Sequence, residues 1–352
     1  MQSAIIRSAR AASLIGAALF ALVLVRSDAG AQAPPPYRLT KTIRVGGEGG
    51  WDYLTCDPAA HRLYASHGMS VAVISTDSGK VVGQIPKTEG VHGITLAKDL
   101  GRGYISNGRT NTVTVFDIAT LAVLRTIPVG TNPDAILYDP FSHRVFVFNG
   151  RSSDASVIDA TTDSVISTIA LGGKPEFAAT NRAGRVFVNI EDKSEIVALD
   201  AKGLTILSRW AIKPGEEPSG LAIDVAHHIL FSVCGNKLMV VVDAETGTVI
   251  TSLPIGDRTD GCAFDPGTGL AFSSNGEGTV TVVREESPTK FSVVGTVPTK
   301  AGARTIAVDP DRHILYLPTA DFGPAPAPTP ERPRPRPTIL PDSFVILQLE
   351  QQ

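Results

Sequence analysis

Charge of either sign is scarce in this sequence. Only 19% of its 352 residues are Asp, Glu, Lys or Arg, and the formal net charge is -3 with a pI near 6.2. No general basic surface exists to attract nucleic acid or an anionic membrane. Aromatics make up 6% of the chain, and they lack the exposed interleaving with basic residues that single-stranded nucleic acid favours. No nucleic-acid partner is therefore expected. The three cysteines, Cys56, Cys234 and Cys262, cannot all pair with one another, and their spacing matches no metal site. Each lies among apolar strand residues, so buried thiols are expected. A Cys234–Cys262 disulfide stays open, because the repeats described below put the two in neighbouring units. Also missing are G-x-S-x-G, HExxH, a Walker loop and a dinucleotide fingerprint. The Gly-rich stretch Val45 to Asp52 has no helix after it and reads as a connection.

Long hydrophobic runs are absent except near the start. Arg7 and Arg10 precede about 15 mostly apolar residues, Ala11 to Val25, short for spanning a bilayer but suited to a signal peptide. Two small-x-small sites follow, Ala29-Gly30-Ala31 and Ala31-Gln32-Ala33. The second would leave Pro34 after the cut, so residues 1–31 are read as a signal peptide cleaved after Ala31. The mature chain is then expected to be periplasmic or secreted, with no transmembrane span. No cysteine lies near the cut to carry a lipid.

Glycine and proline are plentiful, 33 and 25 residues, beside 43% hydrophobic residues. That composition suits short strands and turns around a large core. The strands repeat. Aligned anchor residues Asp57, Ala97, Asp139, Asn181, Asp224, Asp265 and Asp309 are 40, 42, 42, 43, 41 and 44 residues apart. After each anchor comes a turn, an apolar strand such as "RVFVFN", an alternating strand such as "TVTVFD", and in most units a fourth strand such as "TLAVLRTIPVG". Four strands per unit at this period is the signature of a propeller blade. The last unit lacks a fourth strand, whereas the leading "RLTKTIRVGG" copies one. Ring closure by the N-terminal strand follows, and it removes exposed sheet edges. The expected fold is all-β: a seven-bladed propeller over residues 37–352.

The pattern of G-x-x-P, D-P, a Tyr- or Phe-Val strand, V-x-V-x-D, T-x-x-V and T-I-P-V-G resembles the YVTN-type repeats of exported YncE-like seven-bladed propellers. The resemblance covers essentially the whole mature chain. Two units depart from it: Asn181 replaces the anchor Asp, and Arg284 stands where other units have Asp117, Asp159, Asp200 and Asp243. What it implies for function is a binding or scaffold protein with no shared chemistry.

Strand direction places two rings of polar residues on one face. The starts of the innermost strands, five residues before each anchor, are Asp52, His92, Asp134, Glu176, Ser219, Asp260 and Arg304. Small or apolar residues such as Ala135, Ile136, Phe177 and Ala178 follow them, so the ring marks a tunnel mouth. Clustered ionisable groups in a cleft perturb one another's pKa, which favours binding there. An outer ring comprises His67, Asn107 with Arg109, Asn149 with Arg151, Asn189 with Glu191 and Asp192, Asn236 with Lys237, and Asn275 with Glu277; its Asn-Gly pairs also serve as turn chemistry. The anchor turns on the opposite face contain turn formers and are assigned no chemistry.

The expected function is binding of a small molecule, peptide or protein at this mouth by a monomer. No cofactor is expected, although Asp52, His67 and His92 come from adjacent blades and could ligate a divalent metal. The enzyme alternative has His92, Glu176 and Arg304 as acid, base and oxyanion clamp for lactone hydrolysis, similar to seven-bladed lactonases. Replacing Glu176 and Arg304 by Ala is expected to weaken binding with little loss of stability. Trp51 either stacks on a ligand or packs between blades. A Pro-rich insertion, Phe322 to Pro341, interrupts the last unit over the same face, with Arg332, Arg334 and Arg336 opposite the acidic rim. It reads as a flap, a docking strip or a tolerated loop.

Overall fold

The computed structural model describes residues 36–327, 329 and 337–352. The signal-peptide assignment with its cut after Ala31, and Arg332, Arg334 and Arg336, lie outside the described residues. Seven four-stranded antiparallel sheets follow one another along the chain. Blade 1 is made of Leu54–Asp57, Arg62–His67, Ser70–Ser75 and Val81–Ile85. Blades 2 to 6 span residues 91–128, 133–170, 175–211, 218–254 and 259–298. Blade 7 takes three strands from the C-terminal segment and its outermost strand, Tyr37–Arg44, from the N-terminal one, where Tyr37 pairs with Gln351 and Arg44 with Val345. The ring is closed by that pairing, as the unequal ends of the repeat require.

Alternation explains each blade. The second strand is buried on both faces and reads as an apolar run, while the outer strand, exemplified by Val123–Pro128, is mostly exposed. One aromatic recurs at the same point of every second strand: Tyr64, Tyr104, Phe146, Phe187, Phe231, Phe272 and Tyr316, each fully buried. These rings fill the wedges between neighbouring sheets, and burying each stabilises the propeller by about 2–3 kcal/mol. Tyr37 completes the series at closure, its ring 5.2 Å from Phe272 and edge-on.

All three thiols are free: Cys234 and Cys262 are buried and Cys56 is partly so. Burial pushes their pKa values up, to about 12 for Cys56 and Cys234. Among the described residues, no helix is long and apolar enough to cross a membrane. The base of the Pro-rich insertion is stitched together by Gly323 N donating to Thr338 O at 2.8 Å and Leu340 N to Asp321 O at 2.9 Å. Phe322 and Phe344 both pack near Trp51, with ring centroids 5.9 and 5.6 Å away. Trp51 is therefore a packing residue that anchors the insertion beside the tunnel mouth.

Candidate functional site

A bulge in the innermost strand recurs blade after blade. The register between first and second strands slips between Val91 and Ile94, Pro133 and Ile136, Pro175 and Ala178, Pro218 and Leu221, and Thr259 and Gly261. The slips fall at His92, Asp134, Glu176, Ser219 and Asp260. A bulge bends a strand and re-aims a side chain, here toward the ring axis. Second-strand hydroxyls and amides fix it: Asn189 Nδ2 donates to Ser219 O at 2.8 Å, and Ser274 Oγ to Arg304 O at 2.6 Å. Gly220 lets adjacent innermost strands close up, since a Cβ there would lie 2.5 Å from Cys262 N.

Most of the inner ring is one hydrogen-bonded chain. Ser219 Oγ donates to Asp260 Oδ1 at 2.6 Å, and Arg304 Nη1 binds both Asp260 and Asp52, the latter at 3.0 Å. The other oxygen of Asp52 meets His92 Nδ1 at 2.6 Å, and that nitrogen lies 3.6 Å from Asp134. Arg304 Nη2 also donates to Trp51 O at 3.1 Å. Arg304 thus ties blades 6, 7 and 1 together. Its removal would leave Asp260 without a counter-charge and Asp52 with His92 alone, which speaks against the expectation of little stability loss. Glu176 stands outside the chain and pairs instead with Lys174 Nζ at 2.6 Å, which also contacts Glu191.

Burial and mutual repulsion shape the charges. Burial, with Asp134 beside it, pushes Glu176 up to about 8, and burial with Asp52 nearby pushes Asp134 up to about 6. Asp260 is raised by burial despite Arg304. Asp52 is held low: burial opposes its charge, but His92 and Arg304 outweigh that. His92 is pushed up to about 9, because Asp52 and Asp134 overcome its desolvation. Side-chain exposures of 11% for Glu176, 18% for Asp134 and 31% for Arg304 leave the ring reachable from solvent.

Tyr53, missed by the repeat reading, sits among these acids. Its ring stacks on Phe177, with centroids 4.3 Å apart. Burial, together with Asp134, Asp52, Glu176 and Asp260, holds its hydroxyl protonated far above the usual range. Because the two rings come from blades 1 and 4, they meet across the tunnel and form its floor. Adjacency to Asp52 was the available signal for Tyr53, and two-residue spacing from Glu176 was the signal for Lys174.

The outer ring divides in two. Asn107, Asn149, Asn189 and Asn275 lie in the interior; Asn107 Nδ2 donates to Thr114 Oγ1, Asn149 Nδ2 to Ser156 Oγ, and Asn275 Nδ2 to Thr281 Oγ1. They lock turns and present nothing to a ligand. His67 is buried and stacked on Phe344 at 4.2 Å, with its pKa lowered by burial. The potential ligand atoms brought together are those of Asp52, His92 and Asp134, not His67. Arg109, Arg151, Asp192, Lys237, Glu277 and Asn236 remain exposed on this face, and Glu191 is half-buried. Lys237 pairs with Asp257 at 3.2 Å, Asp192 Oδ1 accepts from Lys174 N at 2.7 Å, and Glu277 Oε1 accepts from Thr279 Oγ1 at 3.0 Å.

The sequence matches no protein-family model and no curated protein. Among solved structures it is similar to a chain described as "Crystal Structure of Mitotic Checkpoint Complex", at 13% identity and TM-score 0.71, covering 90% of this chain and 96% of that one. It is also similar to a chain of Kuenenia stuttgartiensis hydrazine synthase, at 18% identity and TM-score 0.66, covering 79% of this chain and 94% of that one. These likenesses show the fold, a β-propeller, and the fold alone.

Proposed function

We propose that this protein is an exported, non-catalytic propeller of the YncE-like kind that binds the cationic group of a small molecule or peptide at the tunnel mouth. The observation that carries this reading is the pair Asp134 and Glu176. They are carboxylates kept at the mouth with pKa values raised to about 6 and 8 by burial and by a neighbouring carboxylate, Asp52 for Asp134 and Asp134 for Glu176. Holding them there costs stability that a purely structural ring would avoid with neutral side chains. An ammonium or guanidinium group would add to the positive charge of Lys174 and His92 beside the pair, and Tyr53 and Phe177 would lie under its apolar portion. Export rests on the leading sequence, and the family on the repeat motifs.

The lactonase reading fares worse on chemistry. His92, raised to about 9, is protonated at neutral pH and suits the acid, but Glu176, the base of that reading, is raised to about 8 and paired with Lys174, so it mostly holds its proton there. Arg304 is committed to Asp52 and Asp260.

A thermal-shift panel of alkyl amines, guanidines, Arg- and Lys-containing short peptides, their neutral counterparts and lactones tests the proposal, since a ligand of the native state raises the midpoint. Cationic hits that disappear in Glu176→Gln support it. Hits confined to neutral compounds, or cationic hits indifferent to Glu176→Gln, would overturn it. Lactone turnover lost in His92→Ala would favour the enzyme instead.

A further inference from the structure

The repeat supplies its own control for a second site, on the face of the anchor turns. In six blades a backbone N–H just after the third strand's turn position donates to the loop before the second strand: Thr76 to His61, Ile118 to Gly101, Ala160 to His143, Ala201 to Gly184, Ala244 to His228 and Glu285 to Gly269. These positions are therefore equivalent. Ala160, Ala201 and Ala244 are buried there, whereas blade 6 carries a glutamate whose side chain is only 3% exposed. Neither carboxylate oxygen has a well-aligned donor of its own; His227 Nδ1, 2.8 Å from Oε1, is shared with Asp224. Its third strand runs on to Ser287, past the point where the other blades turn, because Arg284 has replaced the turn-forming Asp.

The same junctions differ in their cations. Blades 1 to 4 begin the second strand with an arginine that reaches the next blade: Arg62 to Ile118 O, Arg102 to Ala160 O, Arg144 to Ala201 O, and Arg185 to the Glu245 carboxylate. In blade 5 that register holds Ile229, opposite Asp243 as Arg185 is opposite Asp200. So at the junction of blades 5 and 6 a guanidinium is lost and a carboxylate gained. A recess of about 290 Å³ is left, lined by Asp224, His227, Phe264, Gly269 and Glu285. His227 Nδ1 lies 2.7 Å from Asp224 Oδ2 and 2.8 Å from Glu285 Oε1. One ring nitrogen cannot donate well to both.

We propose that Asp224, His227 and Glu285 form a binding site for a zinc-like divalent transition-metal ion. The three ligand atoms lie within 4.8 Å of one another; one ion at about 2.0–2.2 Å from each needs them no more than about 4.4 Å apart, and His227 Nδ1, at 2.7 and 2.8 Å from the two carboxylate oxygens, already meets that limit. Imidazole with two carboxylates suits a borderline transition ion over Mg²⁺ or Ca²⁺, which take oxygen sets. His227, half exposed, is free to swing the few tenths of an ångström required and releases its Nδ1 proton on ligation. The remaining coordination positions open into the recess and would hold water or a ligand.

This site is separate from the tunnel mouth, so its failure would leave the function proposed above standing. Zinc titration calorimetry of metal-stripped protein tests it, in wild type, His227→Ala, Glu285→Ala and, as a control for the mouth cluster, Asp52→Asn. Glu285→Ala installs the residue that blades 3, 4 and 5 already use and should fold, with an apo melting midpoint at or above wild type. One zinc equivalent should weaken by at least about tenfold in His227→Ala and Glu285→Ala while persisting in Asp52→Asn. No binding tighter than about 100 μM in wild type, or binding unchanged in both recess variants, would overturn the assignment.

Discussion

Tyr53 and Phe177 stack across the tunnel, their ring centroids 4.3 Å apart, although the chain between them traverses three blades. This contact lies next to the ionisable ring, close enough for Asp134 and Glu176 to act on the Tyr53 hydroxyl, and adds to the burial of the two carboxylates. Tyr53→Ala should therefore lower the Glu176 pKa from about 8 toward the ordinary carboxylate range. Titration of ¹³C-labelled glutamate side chains by NMR reads it directly. A Glu176 value that does not move would mean that the surrounding strands, not the aromatic pair, desolvate the site.

Stability should fall as pH rises from about 5 to 9. Glu176 and Asp134 have folded pKa values raised to about 8 and 6, and His92 is raised to about 9. Each binds its proton more tightly in the folded state. The stability each contributes is complete below its unfolded pKa and is lost as pH climbs through the folded one. Asp52, held low, acts the other way and only at acid pH. Thermal unfolding across this range checks the slope, which Glu176→Gln should flatten between about pH 5 and 8.

Cation binding should show the opposite dependence. A ligand ammonium displaces the proton of Glu176, so affinity should rise between pH 6 and 8.5 as that proton is surrendered to solvent. Titration of a panel hit at the two pH values, in wild type and Glu176→Gln, measures this. Equal affinities at both would rule out Glu176 as the counter-ion.

Arg304→Ala should cost about 2–4 kcal/mol, because it strands the carboxylate of Asp260 and leaves Asp52 with His92 alone. The double variant Arg304→Ala with Asp260→Asn should recover part of the loss, as one of those charges is then gone. Chemical denaturation of the set separates a bridging role from a ligand-binding one.

Phe187→Ala, in the column of second-strand aromatics, should cost about 3–5 kcal/mol by leaving a cavity between blades 4 and 5. Its denaturation midpoint should drop without change in the mouth's ligand affinity. A loss of binding at native temperature would show instead that the blade wedge positions Glu176.

Sequence alone determined the blade number, the closing strand and the positions of the inner ring. All three depend on short-range periodicity: side chains alternate every two residues, and the anchors Asp57 to Asp309 recur every 40 to 44. Such patterns are local and survive substitutions such as Asn181. Tertiary structure decided how the ring residues pair. Arg304 meets Asp52 across 252 residues of sequence, and only closure brings them together. Bulges, invisible in the apolar pattern, occur at His92, Asp134 and Glu176, while burial withdrew Asn107, Asn149 and Asn275 and turned His67 against Phe344. The recess at Glu285 was half legible: Arg284 already broke the repeat, but the missing arginine at Ile229 belongs to a different blade. Contacts between blades are set by packing of distant segments, and no local rule of spacing encodes them.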